Sequence, residues 1–198
     1  MMHSLYLSHT MLYQIISLLL EVVVGLVTGV CLLRLYMQHQ RIPMSVRSGN
    51  PMGRFMFAMT DWLVLPLRRF IPAAGRWDMA SLVGALLLQL MQFAILWALL
   101  GGGSTLLSVP VLAAFGLVRI ALSGLVGLII VYAVLSWVQT RSYLSDLLER
   151  LVTPVLTPIR RVLPLVGGVD LSPLALLVLL QIALLVLGEI QASALMAL

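Results

Sequence analysis

The chain has 198 residues, of which 62% are hydrophobic and only 10% are charged, and its mean hydropathy is +1.11. A soluble domain has roughly 45–50% apolar and about 25% charged residues, so this composition excludes an ordinary soluble domain and indicates a membrane protein. The formal net charge of +5 comes from 12 basic residues, all arginine, that are scattered among apolar segments. This dispersion argues against a nucleic-acid partner, which would require a basic face.

The residue types that bind metals or act as nucleophiles are few and dispersed. Cys31 is the single cysteine, which allows neither an internal disulfide nor a thiolate metal cluster. His3, His9 and His39 share no spacing typical of a metal site, and the sequence has no phosphate-binding glycine loop, nucleophile elbow or zinc-binding helix. We therefore expect no metal, no cofactor and no catalytic residues, and a protein that is not an enzyme.

The first predicted element is a membrane-spanning helix over about residues 12–36. A helix rises 1.5 Å per residue, so this apolar segment is long enough to cross about 30 Å of hydrocarbon. We do not expect a cleaved signal peptide, because no Lys or Arg precedes the segment, Glu21 interrupts it and no small-residue cleavage site follows it.

The first connection, about residues 51–70, predicts an amphipathic helix. Met52, Phe55 and Met56 begin an apolar stripe at helical spacing, and Trp62 follows it. A short helix with such a stripe is typical of the membrane interface, where it lies in the membrane plane. The alternative is a core helix packed under the bundle, and the sequence leaves both open.

Two further spans, at about residues 79–100 and 111–138, are separated by a linker, residues 101–110, that begins with three glycines. The glycines indicate a flexible connection rather than a ligand-binding loop. We take residues 1–100 as a first repeat and residues 111–198 as a second.

The second connection, about residues 143–161, predicts another amphipathic helix. Its apolar residues recur at helical spacing: Leu144, Leu147, Leu148, Leu151, Val152, Val155 and Leu156. Asp146 and Arg150 fall on the polar side, four residues apart, and are placed for an ion pair.

Three prolines lie in or just after this second helix. Pro154, Pro158 and Pro164 each lack a backbone N–H and restrict the residue before them. We therefore expect a kinked or re-entrant turn in place of a regular helix, with carbonyls that need other partners.

The fourth span, about residues 172–191, has a helix-start signal in front of it. Gly167 permits a tight turn. Asp170 complements the positive end of the helix, Ser172 is the expected N-cap and Pro173 fits the first helical position.

The same sequence motif, which we call the arginine motif, ends both connections. Its first copy is Pro66, Arg68, Arg69, Pro72, Gly75 and Asp78, and its second copy is Pro158, Arg160, Arg161, Pro164, Gly167 and Asp170. Corresponding residues are 92 positions apart, and Gln89 and Gln181 keep that offset. Such a repeat indicates one structural unit used twice. We therefore predict an all-α polytopic membrane protein with four transmembrane helices in two parallel repeats, each ordered transmembrane helix, amphipathic interfacial helix, transmembrane helix.

The adjacent arginines of the arginine motif are candidate contacts to lipids or a partner. Arg68 and Arg69, like Arg160 and Arg161, point in different directions on a helical turn. One guanidinium can cap carbonyls or pair with Asp170 while the other reaches a lipid phosphate. The alternative is snorkelling that serves topology alone. We expect membrane lipids, mainly anionic, as partners; a membrane or cytoplasmic protein, or a second copy of the chain, could also bind.

The arginines also predict the topology, because they are concentrated in the two connections: Arg41, Arg47, Arg54, Arg68, Arg69 and Arg76 in the first, and Arg141, Arg150, Arg160 and Arg161 in the second. By the positive-inside rule both connections face the cytoplasm, and the N- and C-termini face outward. Both halves then insert the same way up, so a symmetry axis would run along the membrane normal.

Glu21, Arg119 and Glu189 lie inside predicted spans, where an ionisable side chain is a functional hypothesis by default. A pair between Arg119 and either glutamate would reduce the cost of burial and join the two halves. A proton or ion step at these residues is the alternative.

The run from Leu135 to Pro173 closely resembles the YggT (YlmG) family of small bacterial integral membrane proteins. The residues of the first half that match are Arg34, Asn50, Pro51, Thr60, Asp61 and the arginine motif. The chain departs from the family pattern in having Arg141, Ser142 and Tyr143 where an Asn-Pro is often found.

The resemblance implies a multi-pass protein of the bacterial inner membrane with no catalytic residues. Its relatives are associated with tolerance of osmotic or extracytoplasmic stress, and in other lineages with cell division or nucleoid organisation. Our leading hypothesis is a non-enzymatic protein that contacts lipids or a partner through its interfacial helices and arginine turns. The alternative is an oligomeric small transporter or channel component for ions or solutes.

Overall fold

The computed structural model describes residues 2–44, 51–71, 77–99, 101–102, 105–138, 142–163 and 170–198. Within these ranges the chain forms six α-helices: α1 (Met2–His39), α2 (Pro51–Arg68), α3 (Met79–Leu99), α4 (Ser108–Val138), α5 (Tyr143–Arg160) and α6 (Ser172–Met196). The prediction of an all-helical protein is confirmed for this part of the chain.

Four of these helices are long and apolar enough to cross a membrane, as the sequence predicts: Met11–His39, Met79–Leu99, Ser108–Ser136 and Ser172–Met196. Two helices begin earlier than expected. α1 begins at Met2 because residues 2–11 contain no Pro or Gly that would stop a helix. α4 begins at Ser108 because Pro110 falls in its first turn, where a backbone N–H has no helical partner.

The long helices pack side by side in the order α1, α3, α4, α6. The short helix α2 packs against α1 and α3, and α5 packs against α4 and α6. Much of the outer surface of the long helices is apolar; Leu18 on α1 is 61% exposed and Leu185 on α6 is 73% exposed. Such a surface suits lipid tails, which are as apolar as leucine.

Hydrophobic side chains join the two halves at the end of the molecule that carries most of the arginines. Met37 and Ile42, at the end of α1, pack with Met56 of α2 and with Leu147 and Leu151 of α5. This buried cluster holds both short helices against the end of the first span.

α5 is continuous through Pro154 and Pro158, so the predicted break at these two residues is wrong. Both prolines are exposed and lie four residues apart on one side of the helix, so the carbonyls that they free face outward. Hydroxyl groups add donors beside them: Thr153 Oγ1 donates to the carbonyl of Glu149 at 2.6 Å, and Thr157 Oγ1 donates to that of Thr153 at 2.7 Å. The buried face of α5 is therefore undisturbed.

The prediction that Ser172 caps α6 is also wrong. Leu171 holds the N-cap position and Ser172 is the first helical residue. Asp170 accounts for the difference, because its Oδ1 accepts the backbone N–H of Ser172 at 2.9 Å and so satisfies a donor that a capping side chain would otherwise take.

The first two glycines of the predicted linker end α3. Gly101 and Gly102 have φ angles of 73° and 68°, which favour glycine. Their N–H groups donate to the carbonyls of Ala98 and Trp97, each at 3.1 Å. These two residues therefore act as a helix C-terminus rather than as a flexible connection.

Candidate functional site at the arginine-rich helix ends

A cluster of polar side chains lies where α1 and α2 end and α3 begins. Arg34 is near the end of α1, Asp61 is on α2 and Asp78 directly precedes α3. Because α1 packs against both α2 and α3, residues that are far apart in sequence meet here. We define the Arg34 cluster as Arg34, Thr60, Asp61, Arg68, Asp78 and Ser81.

Arg34 is the centre of this cluster and is only 1% exposed. Its Nη1 donates to Asp61 Oδ1 at 2.6 Å and to Thr60 Oγ1 at 2.7 Å. Its Nε lies 3.5 Å from Asp78 Oδ2, and its guanidinium carbon lies 4.8 Å from the ring centroid of Phe57, which is a cation–π contact. A buried cation without a partner is strongly destabilising, so the position of Arg34 depends on the two aspartates.

Asp78 is fully buried and joins α2 to the start of α3. Its Oδ2 accepts a hydrogen bond from Arg68 Nη2 at 2.5 Å and another from Ser81 Oγ at 2.8 Å. Burial by itself would raise the pKa of Asp78. The hydrogen bonds from Arg68 and Ser81, with the charges of Arg68 and Arg34, outweigh burial and hold the pKa below its ordinary value. The cluster therefore contains two guanidinium groups and two carboxylates.

The second half has a matching but more exposed Arg–Asp pair. Arg160 Nε donates to Asp170 Oδ2 at 2.8 Å, and Arg160 Nη2 donates to Tyr132 Oη at 3.1 Å. The two side chains of the pair are 37% and 31% exposed. Burial again opposes ionisation of the carboxyl, but the hydrogen bonds from Ser172 and Arg160 lower the pKa of Asp170.

The two halves differ at the buried arginine. The arginine of α4 is Arg119, which lies far from the end of that helix next to α5, and the residue 92 positions after Asp61 is Thr153. The second half thus has no counterpart of the Arg34–Asp61 bond. The arginine motif contains the Arg–Asp pair in both halves. Among the described residues, only the first half also has a buried arginine, Arg34, next to that pair.

Each arginine doublet is divided between two environments. Arg68 and Arg160 bond to aspartates although they too are partly exposed, whereas Arg69 and Arg161 are exposed and have no such bond. Neither exposed guanidinium forms an ion pair or hydrogen bond with any residue that the structure describes. One arginine of each doublet is thus fixed and its neighbour is available to a ligand.

The other residues of the arginine motif lie inside a helix or outside the described ranges. Pro66 lies inside α2 and Pro158 inside α5. Four residues of the predicted motif lie outside the described residues: Pro72, Gly75, Pro164 and Gly167. In the part of the chain that is described, no three His, Cys, Asp or Glu side chains are grouped as a metal site would need.

The three charges inside the spans do not pair as predicted. Arg119 Nη2 donates to Gln191 Oε1 at 2.9 Å, and among the described residues it forms no ion pair with Glu21 or Glu189. Two residues along a helix correspond to a rotation of about 200°, so Glu189 cannot share the face of α6 that Gln191 presents to Arg119. Glu21 and Glu189 are both exposed.

Further buried polar side chains lie between α1 and α3. The Nε2 of Gln89 is 3.4 Å from Thr28 Oγ1 and 3.3 Å from Gln92 Oε1, and all three residues are buried. Gln181, which lies 92 positions after Gln89, is exposed. The shared glutamine therefore has a packing role in the first half that the second half does not reproduce.

Sequence reasoning did not include Arg34 and Asp61 among the candidate site residues. The signal for Arg34 was available, because it is an ionisable residue inside the first predicted span, as Glu21 is. The signal for Asp61 was weaker, since a carboxylate on a short connecting helix is ordinarily solvated. Only the packing of α2 against α1 shows that it is an arginine partner.

The fold and the site together define a polytopic helical membrane protein with a polar cluster at one end. The chain belongs to the CCB3/YggT family, whose model matches residues 13–99 and 111–191, so the resemblance seen in the sequence is confirmed. It is 36% identical over 173 residues to YggT of Escherichia coli K12, covering 84% of this chain and 86% of that protein.

Two further relatives have similar coverage. The chain is 33% identical over 177 residues to an uncharacterised Vibrio alginolyticus protein described by its place in the proC 3′ region, covering 88% of this chain and 94% of that protein. It is 34% identical over 148 residues to an uncharacterised protein of Pseudomonas aeruginosa, covering 72% and 75%. No solved structure matches the chain.

Proposed function

We propose that this protein is a non-enzymatic component of the bacterial inner membrane that binds the phosphates of anionic lipids through Arg69 and Arg161. The observation that carries the proposal is the division of both arginine doublets. In each, an aspartate binds one guanidinium, while the neighbouring guanidinium has no hydrogen-bond or ion-pair partner among the described residues. The bonded neighbour anchors the backbone from which the unpaired arginine projects, and this lowers the entropy lost when that arginine binds a phosphate.

Aromatic side chains support a position of α2 at the membrane interface. Phe55 is 55% exposed, Trp62 is 62% exposed and Phe70, just after the helix, is 83% exposed. Tryptophan and other large aromatic side chains favour the headgroup region, where an apolar ring can meet lipid and a polar atom can meet water. With α2 at this depth, Arg69 would lie among lipid phosphates.

The proposed contact would act on the cytoplasmic leaflet, because positive residues favour that side. By ordering anionic lipids around its arginine-rich end, the protein would contribute to envelope organisation under osmotic or extracytoplasmic stress. This role requires binding at a surface and no covalent chemistry.

The direct test compares lipid binding by the wild type and by the double variant Arg69→Ala/Arg161→Ala. An arginine near an anionic surface contributes about 1 kcal/mol, so losing two should weaken binding by about 2 kcal/mol, or roughly thirtyfold. Phosphatidylglycerol binding would be measured by native mass spectrometry and by titration into nanodiscs, with phosphatidylcholine as the uncharged comparison.

Arg119→Ala is the matched control, since it also removes an exposed arginine but at the opposite end of α4. The proposal requires Arg119→Ala to bind phosphatidylglycerol as the wild type does. Equal binding by the double variant and the wild type, at normal abundance and thermal stability, would refute it.

A further inference from the structure

A polar cleft of about 640 Å³ opens between the end of α1 and the exposed side of α5. It is separate from Arg69 and Arg161, and neither the aspartate pairs nor the proposed lipid contact uses it. The lining residues that matter chemically are Arg41, Asp146, Glu149, Arg150, Thr153 and Pro154.

The two walls of the cleft are fixed to each other. Tyr36, one turn before the end of α1, donates a hydrogen bond from its hydroxyl to the carbonyl of Leu151 at 2.7 Å. Beneath the cleft, Met37 and Ile42 pack with Leu147 and Leu151 in one buried cluster. Because the walls belong to a packed core, the backbone positions that carry the charged side chains have a defined separation before any ligand arrives.

Arg41 occupies a backbone conformation that ordinarily favours glycine. Its φ is 55°, and the bonds around it form the glycine-type helix ending: Ile42 N–H donates to Met37 O and Arg41 N–H donates to Gln38 O, each at 3.0 Å. A left-handed conformation costs a non-glycine residue about 1–2 kcal/mol. Strain of this kind at a cleft residue motivates a hypothesis of function.

The charged side chains in the cleft do not form ion pairs with one another. Asp146 and Arg150 are four residues apart on α5, yet the ion pair predicted from their spacing is not formed. Among the described residues, none of Arg41, Asp146, Glu149 and Arg150 takes part in an ion pair within 4.0 Å. Two cations and two anions therefore face one open space without neutralising each other at contact distance.

We propose that this cleft binds a small zwitterion that combines a phosphate or carboxylate with a primary ammonium group, as phosphoethanolamine does. Arg41 and Arg150 would bind the anion through charge-assisted hydrogen bonds, and Asp146 and Glu149 would bind the ammonium. Pro154 removes the helical donor for the carbonyl of Arg150, which leaves one more acceptor for an N–H group.

A primary ammonium fits better than a quaternary one. Quaternary ammonium groups are recognised by aromatic cages, and none of the described residues that line the cleft is aromatic. Carboxylates and a free carbonyl instead accept hydrogen bonds, which only an ammonium with N–H groups can donate. The ligand could be a free solute or the headgroup of a phospholipid at the membrane surface, since both present the same two charges.

The test uses the full-length protein in phosphatidylcholine nanodiscs. Free O-phosphoethanolamine would be titrated by calorimetry, with inorganic phosphate and ethanolamine as separate half-ligands. Adducts of phosphatidylethanolamine would be counted by native mass spectrometry. The informative variants are Arg41→Gly, which removes the guanidinium while favouring the observed backbone, and Glu149→Gln, which removes one charge with little change in shape.

We expect each variant to weaken zwitterion binding by about tenfold, the effect of losing one charged hydrogen bond. Arg41→Gly should keep or raise the thermal unfolding midpoint, so its loss of binding could not be ascribed to misfolding. The controls Arg119→Gln and Glu21→Gln remove exposed charges outside the cleft and should bind as the wild type does.

The outcomes separate the two sources of ligand. Binding of free O-phosphoethanolamine supports a soluble zwitterion, and phosphatidylethanolamine adducts without such binding support a lipid headgroup. The proposal is overturned if neither probe binds, if inorganic phosphate binds as well as the zwitterion, or if both cleft variants bind like the wild type. Because Arg69 and Arg161 are unchanged throughout, these results are independent of the proposed anionic-lipid contact.

Discussion

At the scale of single residues, Asp78 ties three helices together, because Arg34 of α1 and Arg68 of α2 both reach it at the start of α3. Arg34 Nε and Asp78 Oδ1 have no hydrogen-bond partner among the described residues, so their stabilisation depends on the neighbouring charges. In a buried site, removing one partner leaves another charge uncompensated. The cluster should therefore behave as a unit in which each charge is required.

Asp78→Asn should lower the free energy of unfolding by about 3–5 kcal/mol at neutral pH, the cost of breaking a buried pair. The wild type should also lose stability in acid. The ordinary pKa of Asp78 is 3.8 and its pKa in the fold is lower, so its contribution is complete above about pH 4 and is lost as the pH falls through the lowered value. Thermal unfolding in detergent between pH 3 and pH 7 would measure both effects.

Asp170→Asn is the matched change in the second half, where the Arg160–Asp170 pair is about one-third exposed. Exposed ion pairs contribute about 0–1 kcal/mol, so this variant should lose much less stability than Asp78→Asn. Equal losses from the two substitutions would contradict the idea that the buried arginine sets the halves apart.

The Arg160–Asp170 bond could be anticipated from sequence because both residues belong to one copy of the arginine motif, ten positions apart. The partners of Arg34 could not. Asp61 and Asp78 lie on other helices, and only the way in which α1 packs against α2 and α3 brings the three together. The sequence shows which residues carry charge, whereas the pairing depends on the tertiary arrangement.

At the scale of helices, the pattern of apolar residues was sufficient to place the spans, since length and hydropathy decide what can cross a membrane. It was not sufficient to place the helix ends. Pro154 and Pro158 were expected to stop α5, but a helix can continue through a proline by a local bend, with water or a hydroxyl group satisfying the freed carbonyl. Their position on the exposed side of α5 depends on packing, which the proline signal alone does not reveal.

The contact between α3 and α4 gives a sharp test of helix packing. A Cβ placed on Gly116 would lie 2.4 Å from Gln89 Oε1 and 3.0 Å from Phe93 Cε2, whereas one placed on Gly124 would meet no atom within 4 Å. Gly116→Ala should therefore cost about 1–3 kcal/mol through overpacking. Gly124→Ala should be neutral, or stabilising by up to about 1 kcal/mol, because alanine favours a helix.

Thermal unfolding midpoints of the two alanine variants, measured side by side in the same detergent, would decide between these expectations. If both glycines tolerate alanine equally, then the contact of Gln89 and Phe93 with Gly116 does not limit the packing of α3 against α4. A loss confined to Gly116→Ala would show that Gln89 and Phe93 together limit how closely the two spans approach at this position.

At the scale of the whole molecule, helix order puts both short helices at one end. α1 ends and α3 starts there, as α4 ends and α6 starts, so the turn between α3 and α4 and the end of α6 lie at the other. Ten of the twelve arginines belong to the two connections in sequence, and the seven of these that the structure describes lie at the first end. The positive-inside bias would then put α2 and α5 on the cytoplasmic side of the membrane and both chain ends outside.

Single-cysteine labelling would test this topology, and the native thiol does not interfere because Cys31 is fully buried. Thr105→Cys and Ala197→Cys, both at exposed positions at the outer end, should react with a membrane-impermeant maleimide in intact spheroplasts. Tyr143→Cys, exposed on α5, should react only after the membrane is permeabilised. The reverse labelling pattern would place the arginine-rich end outside, where Arg69 and Arg161 would not meet the anionic lipids of the cytoplasmic leaflet.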